Sequence, residues 1–191
     1  MTEVSKTPKI TTHDLTLIAL FVAIMAVLAQ ITVPFPLVPL TMQTFAFFLA
    51  GIVLGAKRGV IAACIYLLLG AVGVPVFAAF HGGFGIIIGP TGGYLLSFPL
   101  VALTVGLAAE KADKATATKG KYLWLVSGLV VGIILNLSIG MLQLALVTRI
   151  GLQAAFLSGV FPFLVPELIK ATLVLALAPK IRQIVMNENR T

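Results

Sequence analysis

The sequence has very little charge. Across 191 residues only 10% are Asp, Glu, Lys or Arg, whereas 60% are hydrophobic. Soluble domains carry about 25% charged residues, and so few charges cannot cover the apolar surface that such a chain would present to water. Mean hydropathy is +1.13. A disordered chain, a coiled coil and an ordinary soluble enzyme are thereby excluded, and a polytopic membrane protein remains. Cysteine is nearly absent as well. Cys64 stands alone, so no internal disulfide can form, and it reads as a small apolar helix residue. Acidic residues number six against 13 basic ones, for a net charge of +7. In so apolar a chain this excess belongs to loops on one side of a bilayer rather than to a nucleic-acid surface.

Catalytic signatures are missing too. There is no G-x-x-x-x-G-K-[ST], so the chain does not hydrolyse ATP through a P-loop. Neither G-x-S-x-G nor H-E-x-x-H occurs. His81 has no second histidine or carboxylate cluster beside it to complete a metal site.

What is present is a set of six apolar runs, at roughly 15–33, 40–56, 59–73, 94–109, 123–150 and 164–184. A span needs about 17–25 residues. The third and fourth runs are short, which predicts helices that hand over to ordered loops buried against protein. The first run is long enough to span and is followed at once by others, so it reads as an uncleaved first helix. Lys57 and Arg58 separate runs two and three, and Lys111, Lys114, Lys119 and Lys121 separate runs four and five. Lys6 and Lys9 precede run one, and Lys180, Arg182 and Arg190 end the chain. Every Lys and Arg except Arg149 and Lys170 therefore falls on one side, and the positive-inside rule makes that side, with both termini, cytoplasmic. The opposite connections, 34–39, 74–93 and 151–163, contain no charged residue. Pro and Gly fill the first two, which predicts ordered loops folded back onto the helices. The expected fold is all-α integral membrane: six transmembrane helices and ordered apolar external loops. It forms one membrane-embedded domain over 1–191, with cytoplasmic tails at 1–13 and 185–191.

Three ionisable residues interrupt the apolar regions: Arg149, Glu167 and Lys170. Glu167 and Lys170 are three apart and share a helix face, just after Pro166 in the expected first turn. They form either a self-neutralising cap or a polar anchor at the external end of a pocket. The second reading is preferred, because intramembrane charges are costly and face bundle interiors. Arg149 reads as a residue snorkelling to the interface. Gly128, Gly132, Asn136 and Gly140 repeat every four residues, and Gln143 continues the face. Such small residues let helices approach closely. Asn136 reads equally as interhelical glue or as a ligand contact; Gln143 reads as glue. Thr41, Gln43 and Thr44 are cap groups or pocket donors. Ala19 and Ala23 in the first run mark either an internal contact or a docking face for a separate membrane protein.

The run Pro39-Leu40-Thr41-Met42-Gln43-Thr44-Phe45, followed by 49–55, resembles the opening signature of the BioY family. So do Gly73-Val74-Pro75-Val76-Phe77-Ala78 with Gly82-Gly83 and Gly89-Pro90-Thr91-Gly92-Gly93-Tyr94, and Phe161-Pro162-Phe163-Leu164 with Glu167-Leu168-Ile169-Lys170-Ala171. Their order and spacing match from about residue 13 to residue 180. The family comprises biotin-specific substrate-binding components of energy-coupling factor transporters. The resemblance implies a non-enzymatic capture subunit in the cell membrane, surrounded by lipid, without nucleic acid, cofactor or metal. Its implied partners are biotin, a transmembrane coupling protein and two ATPase subunits. Ala19 and Ala23 match the docking pattern. Gln43, Gly82, Gly83, Thr91, Tyr94, Asn136, Glu167 and Lys170 match positions near the ligand. Where the family often has Asp, this chain has Glu167, with the same charge and a longer reach. The alternatives are a subunit for another vitamin, a stand-alone secondary transporter, an intramembrane enzyme using Glu167 as acid or base, and a structural assembly subunit. A lack of acidic residues across the membrane argues against proton coupling, and the absence of a partnered nucleophile argues against catalysis.

Overall fold

A computed structural model describes residues 11–188. Lys6, Lys9 and Arg190 lie outside the described residues, as does most of both expected tails.

Helix α1, Thr12–Leu28, begins with a reciprocal cap in which Thr11 Oγ1 accepts from Asp14 N and Thr11 N donates to the Asp14 carboxylate. Ile18, Phe21, Val22 and Met25 turn inward. Ala19 and Ala23 are exposed on the other face. The helix stops five residues earlier than expected from its apolar run. Thr32–Val33 (β1) instead pairs antiparallel with Leu40–Thr41 (β2), registering Thr32 on Thr41. The first of the uncharged connections is thus a β-hairpin around a proline-rich tip.

Helix α2, Gln43–Ala71, is two antiparallel arms, 43–54 and 56–71. Gly55 breaks it with φ 79° and ψ 178°, a backbone that glycine adopts without steric cost. Gln43 Nε2 donates to Tyr66 Oη at 2.6 Å, whereas a continuous helix would hold them about 35 Å apart. This 29-residue segment therefore makes two passes rather than one long one. Lys57 and Arg58 follow its turn, as the charge pattern predicts. Cations and anions also cap the broken ends in the sense that the helix dipole favours. Arg182 donates to Ile52 O at 2.5 Å and Val53 O at 3.3 Å, while Ala56 N donates to Glu110 Oε1 at 2.9 Å. Arg182 also bonds Asp113, and Arg58 holds Asp14 at 2.6 Å. These contacts gather the first turn of α1, the Gly55 turn and the helical segments around Glu110–Asp113 and Arg182 at one pole of the molecule.

Beyond a 3-10 turn at Ala78–Phe80 and the short α3, Phe84–Ile88, come α4, Gly92–Asp113, and α5, Thr118–Thr148. The fourth pass is not short, in contrast to its apolar run, because helix continues through Lys111, whose Nζ lies 4.6 Å from the Trp124 ring centre. The connection 151–163 is also mostly helical, comprising α6, Leu152–Gly159, and a 3-10 turn at Phe161–Phe163. Finally α7 runs Leu164–Glu188. Among the described residues the six passes are α1, both arms of α2, α4, α5 and α7. All are helical because backbone groups in hydrocarbon must be satisfied within the segment.

α4 packs between α2 and α5, with α1 and α7 against α2. Small residues set these distances. The Cα of Gly140 on α5 approaches Gly93 on α4, and Gly128 lies against Ala108. Phe47 stacks on Phe98 with centroids 3.9 Å apart, at the junction of α2 and α4.

Candidate functional site

At the pole opposite the charged cluster, a cavity of about 170 Å³ opens among the uncharged connections. That is an order of magnitude more than one water needs, about 15 Å³. The first arm of α2 is too short to cross the hydrocarbon alone, and the β-hairpin fills the gap at its outer end, contributing Val38 and Pro39 to the wall. Phe77, Ala78, His81 and Ile86 come from the glycine-rich connection, and Phe163 from the approach to α7.

The polar part of the lining is assembled from four helices. Glu167 stands in the first turn of α7, and Lys170 one turn further on; they are 3% and 5% exposed. Lys170 Nζ lies 2.6 Å from Glu167 Oε1 and 2.9 Å from Thr44 Oγ1, and Thr44 donates to the same Oε1 at 2.8 Å. Both close contacts fall on one carboxylate oxygen. Glu167 Oε2 is buried without a hydrogen-bond partner among the described residues. A buried charge must be paired and hydrogen-bonded to be tolerated, and an unmet buried acceptor costs about 1–3 kcal/mol. The ion pair alone would explain a cap. The free oxygen is what a cap does not need.

Asn136 on α5 donates through Nδ2 to Tyr94 O at 3.1 Å and to Ser97 Oγ at 2.7 Å. Tyr94 O can only accept, which fixes the amide orientation. Both amide hydrogens are therefore used, and Asn136 Oδ1 is left as an acceptor. Asn136 is glue and cavity lining at once, and the atom it has left to offer is an acceptor.

Tyr94 lies across Gly140, and its hydroxyl donates to Gly159 O at 2.7 Å. Its ring and that of Phe163 form an aromatic wall, with centroids 6.4 Å apart. Thr91, preceding α4, completes this side. Gln43 accepts from Thr41 Oγ1 and donates to Tyr66 Oη, which in turn donates to Val76 O at 2.8 Å. Tyr66 does not line the cavity and escaped the sequence reading. Its signal was a single phenol in an aliphatic run, which once buried must find a partner.

Six of the eight expected positions meet on this cavity: Gln43, Thr91, Tyr94, Asn136, Glu167 and Lys170. Gly82 and Gly83 lie beside it, outside the lining. A Cβ at Gly82 would collide with Val74 O, and Gly83 has φ 102° and donates its N–H to Gly70 O at 2.6 Å. Both shape the loop backbone. Gln143 donates to Ile87 O and Gly89 O, the interhelical glue expected of it. Arg149 is exposed at the end of α5, and Cys64 is exposed on the second arm of α2. Among the described residues no group of three or more His, Cys, Asp or Glu could hold a metal ion.

A family model described as the BioY family matches residues 2–187. A relative from Pyrococcus horikoshii named "Probable biotin transporter BioY" is 41% identical over 88% of this chain and 96% of its own. One from Thermotoga maritima, "Biotin transporter BioY", is 37% identical over 86% and 93%. Among solved structures, the S-component for biotin from an ECF-type ABC transporter superposes with a TM-score of 0.80. It is 26% identical, and the match covers 96% of this chain and 95% of that one.

Proposed function

The chain belongs to the BioY family, and from that premise we propose that the cavity is the biotin-capture site of a transport subunit. The chain is a multi-pass membrane protein and not an enzyme; biotin is its cargo rather than a cofactor. The observation that carries the assignment of the site is the unpartnered Glu167 Oε2, buried in the cavity lining beside a compensated charge.

Biotin's ureido ring presents two N–H donors and one carbonyl. Glu167 Oε2 and Asn136 Oδ1 supply acceptors for the two N–H groups. Lys170 has used two of its three hydrogens, on Glu167 and Thr44, and offers the third to the carbonyl. Tyr94, Phe98 and Phe163 provide apolar wall for the fused rings. Thr91 and Gln43 complete the lining, and Gly82 and Gly83 set the loop that closes it. A ligand without the ureido group leaves these buried groups unpaired, which is the basis of discrimination.

The chain works within an energy-coupling factor transporter in this reading. A transmembrane coupling protein and two ATPase subunits supply the energy that a chain without a P-loop does not. Ala19 and Ala23, exposed and four apart on α1, form the docking face for the coupling protein. The pole that gathers Arg58, Arg182 and the α4–α5 connection is cytoplasmic, with both termini, and the cavity opens outward.

Binding to the purified, detergent-solubilised chain tests this. Biotin is expected to bind at about one per chain, dethiobiotin more weakly, and lipoate, which lacks the ureido group, not at all. Equal binding of lipoate, or no binding of biotin by demonstrably folded protein, overturns the assignment.

A further inference from the structure

We propose that the outward groove between α4 and α5 holds an anionic phospholipid, with its phosphate among Lys111, Lys114 and Lys121 and an acyl chain laid along the trough beside them. The proposal does not depend on what fills the cavity at the other pole.

The groove follows from how the two helices pack. Gly128 on α5 lies against Ala108 on α4, and a Cβ at Gly128 would collide with the Ala108 methyl. The helices therefore meet closely at that level, and the larger side chains around it stand up as walls. The result is a trough of about 190 Å³ whose walls include Thr104, Leu107, Lys111, Trp124, Ser127 and Val131. Leu107, Trp124 and Val131 are exposed, which in a membrane-spanning bundle sets them against lipid. From Thr104 to Lys111 the trough follows α4 for about 10 Å.

Charge is confined to one end of it. Lys111 closes the trough, with its Nζ over the Trp124 ring. Lys114 stands three residues beyond Lys111 at the end of α4, and Lys121 three residues before Trp124 on α5, so helical spacing brings both to the same side. The two neighbouring acids are engaged elsewhere: Asp113 with Arg182, and Glu110 with Ala56 N. Among the described residues none of the three lysines has an ion-pair partner. A lone lysine snorkelling to the interface needs no trough. Three unpaired lysines and an indole at the mouth of an apolar trough complement a molecule with an anionic head and a hydrocarbon tail. The indole N–H adds a donor at the same level. A second copy of this face would set the same lysines against one another, which like-charge repulsion opposes.

Trp124 is the only tryptophan in the chain, so its fluorescence reads this face directly. The full chain is reconstituted in phosphatidylcholine vesicles, with part of the lipid replaced by dibrominated phosphatidylglycerol or by dibrominated phosphatidylcholine, whose bromines quench the indole on contact. One lysine beside an anionic lipid surface is worth about a fivefold preference. The brominated phosphatidylglycerol is therefore expected to associate about five- to tenfold more strongly than the brominated phosphatidylcholine. At 1 M salt, where screening acts within about 3 Å, that preference is expected to narrow. The triple variant Lys111→Gln, Lys114→Gln, Lys121→Gln is expected to bring the ratio within about twofold of unity, and the corresponding triple change to Arg to keep it. The salt series needs no variant, so the test stands even where one fails to fold. Equal quenching by the two lipids in the wild-type chain, or a preference unaltered in the Gln variant, overturns the proposal. Absence of quenching by either lipid also overturns it, because protein, a second copy included, would then cover the face.

Discussion

Lys170 Nζ approaches Glu167 Oε1 to 2.6 Å, three residues away on the same helix and nearly out of solvent, while the second oxygen of Glu167 has no partner. The lysine neutralises the carboxylate from one side and leaves the other oxygen unmet. In the proposed capture site, charge compensation and ligand recognition are thereby separated onto two atoms of a single group.

Removing the carboxylate therefore acts twice. In Glu167→Gln the buried ammonium of Lys170 loses its counterion, at a cost of about 3–5 kcal/mol, and biotin loses a charged acceptor worth about 1.5–3 kcal/mol. Calorimetry is expected to show at least a tenfold loss of affinity, and the melting temperature is expected to fall. The double variant Glu167→Gln, Lys170→Met removes the orphaned charge. It should recover melting temperature without recovering binding. Recovery of both would mean that the pair serves packing alone.

Tyr66 acts at one remove. Its hydroxyl joins Gln43 on the first arm of α2 to Val76 O on the loop that carries Phe77 into the cavity. Tyr66→Phe keeps the ring packed between Phe47 and Phe77 but leaves a carbonyl and an amide unsatisfied, for about 1–3 kcal/mol. Because the loop bounds the cavity, the effect is expected mostly in a faster dissociation of biotin, with little change in association. A stopped-flow chase with unlabelled biotin separates the two rates.

How much of this arrangement is legible without coordinates follows from its physics. Charge is rare here, so each charged residue is informative. Lys57 and Arg58 mark the turn inside α2, and Glu167 and Lys170 mark the cavity. Apolar residues are abundant, so each says little. Residues 29–33 carry on the apolar run with only Gln30 and Thr32 interrupting it, and no local pattern names Thr41 as the partner of Thr32. Helices apolar on all sides give no periodic face from which to read an end. Residues 152–159 suffer the same ambiguity, being a short helix within a connection. The polarity of Asn136 was out of reach for another reason. It is set by Tyr94 O and Ser97 Oγ, about forty residues away, which no local pattern relates to it.

The charged pole and the cavity share no lining residue. Gly55 takes a φ of 79°, and a Cβ there would lie 2.9 Å from Glu110 Oε1. Left-handed backbone costs an ordinary residue about 1–2 kcal/mol, and displacing Glu110 frees Ala56 N from its cap. Gly55→Ala is expected to lower the melting temperature by several degrees. The biotin Kd of the folded fraction should stay within about twofold of wild type, since the cavity lies at the other end of the bundle. A large loss of affinity at unchanged melting temperature would show that the two poles are coupled.

Ala19 and Ala23 lie on the outer face of α1, whereas Ile18, Phe21, Val22 and Met25 hold that helix to the core. Enlarging an outward residue removes no internal contact. In Ala19→Leu, Ala23→Leu the purified chain is expected to keep its biotin affinity and melting temperature. Close approach of another helix is sensitive to every added methylene, so uptake of labelled biotin by cells that carry the coupling protein and ATPase subunits should fall at least tenfold. The paired measurement decides between the two uses of such a face. Loss of both uptake and binding would mean that α1 packs within the chain in a way its exposure does not show. Retention of both would mean that the coupling protein docks elsewhere.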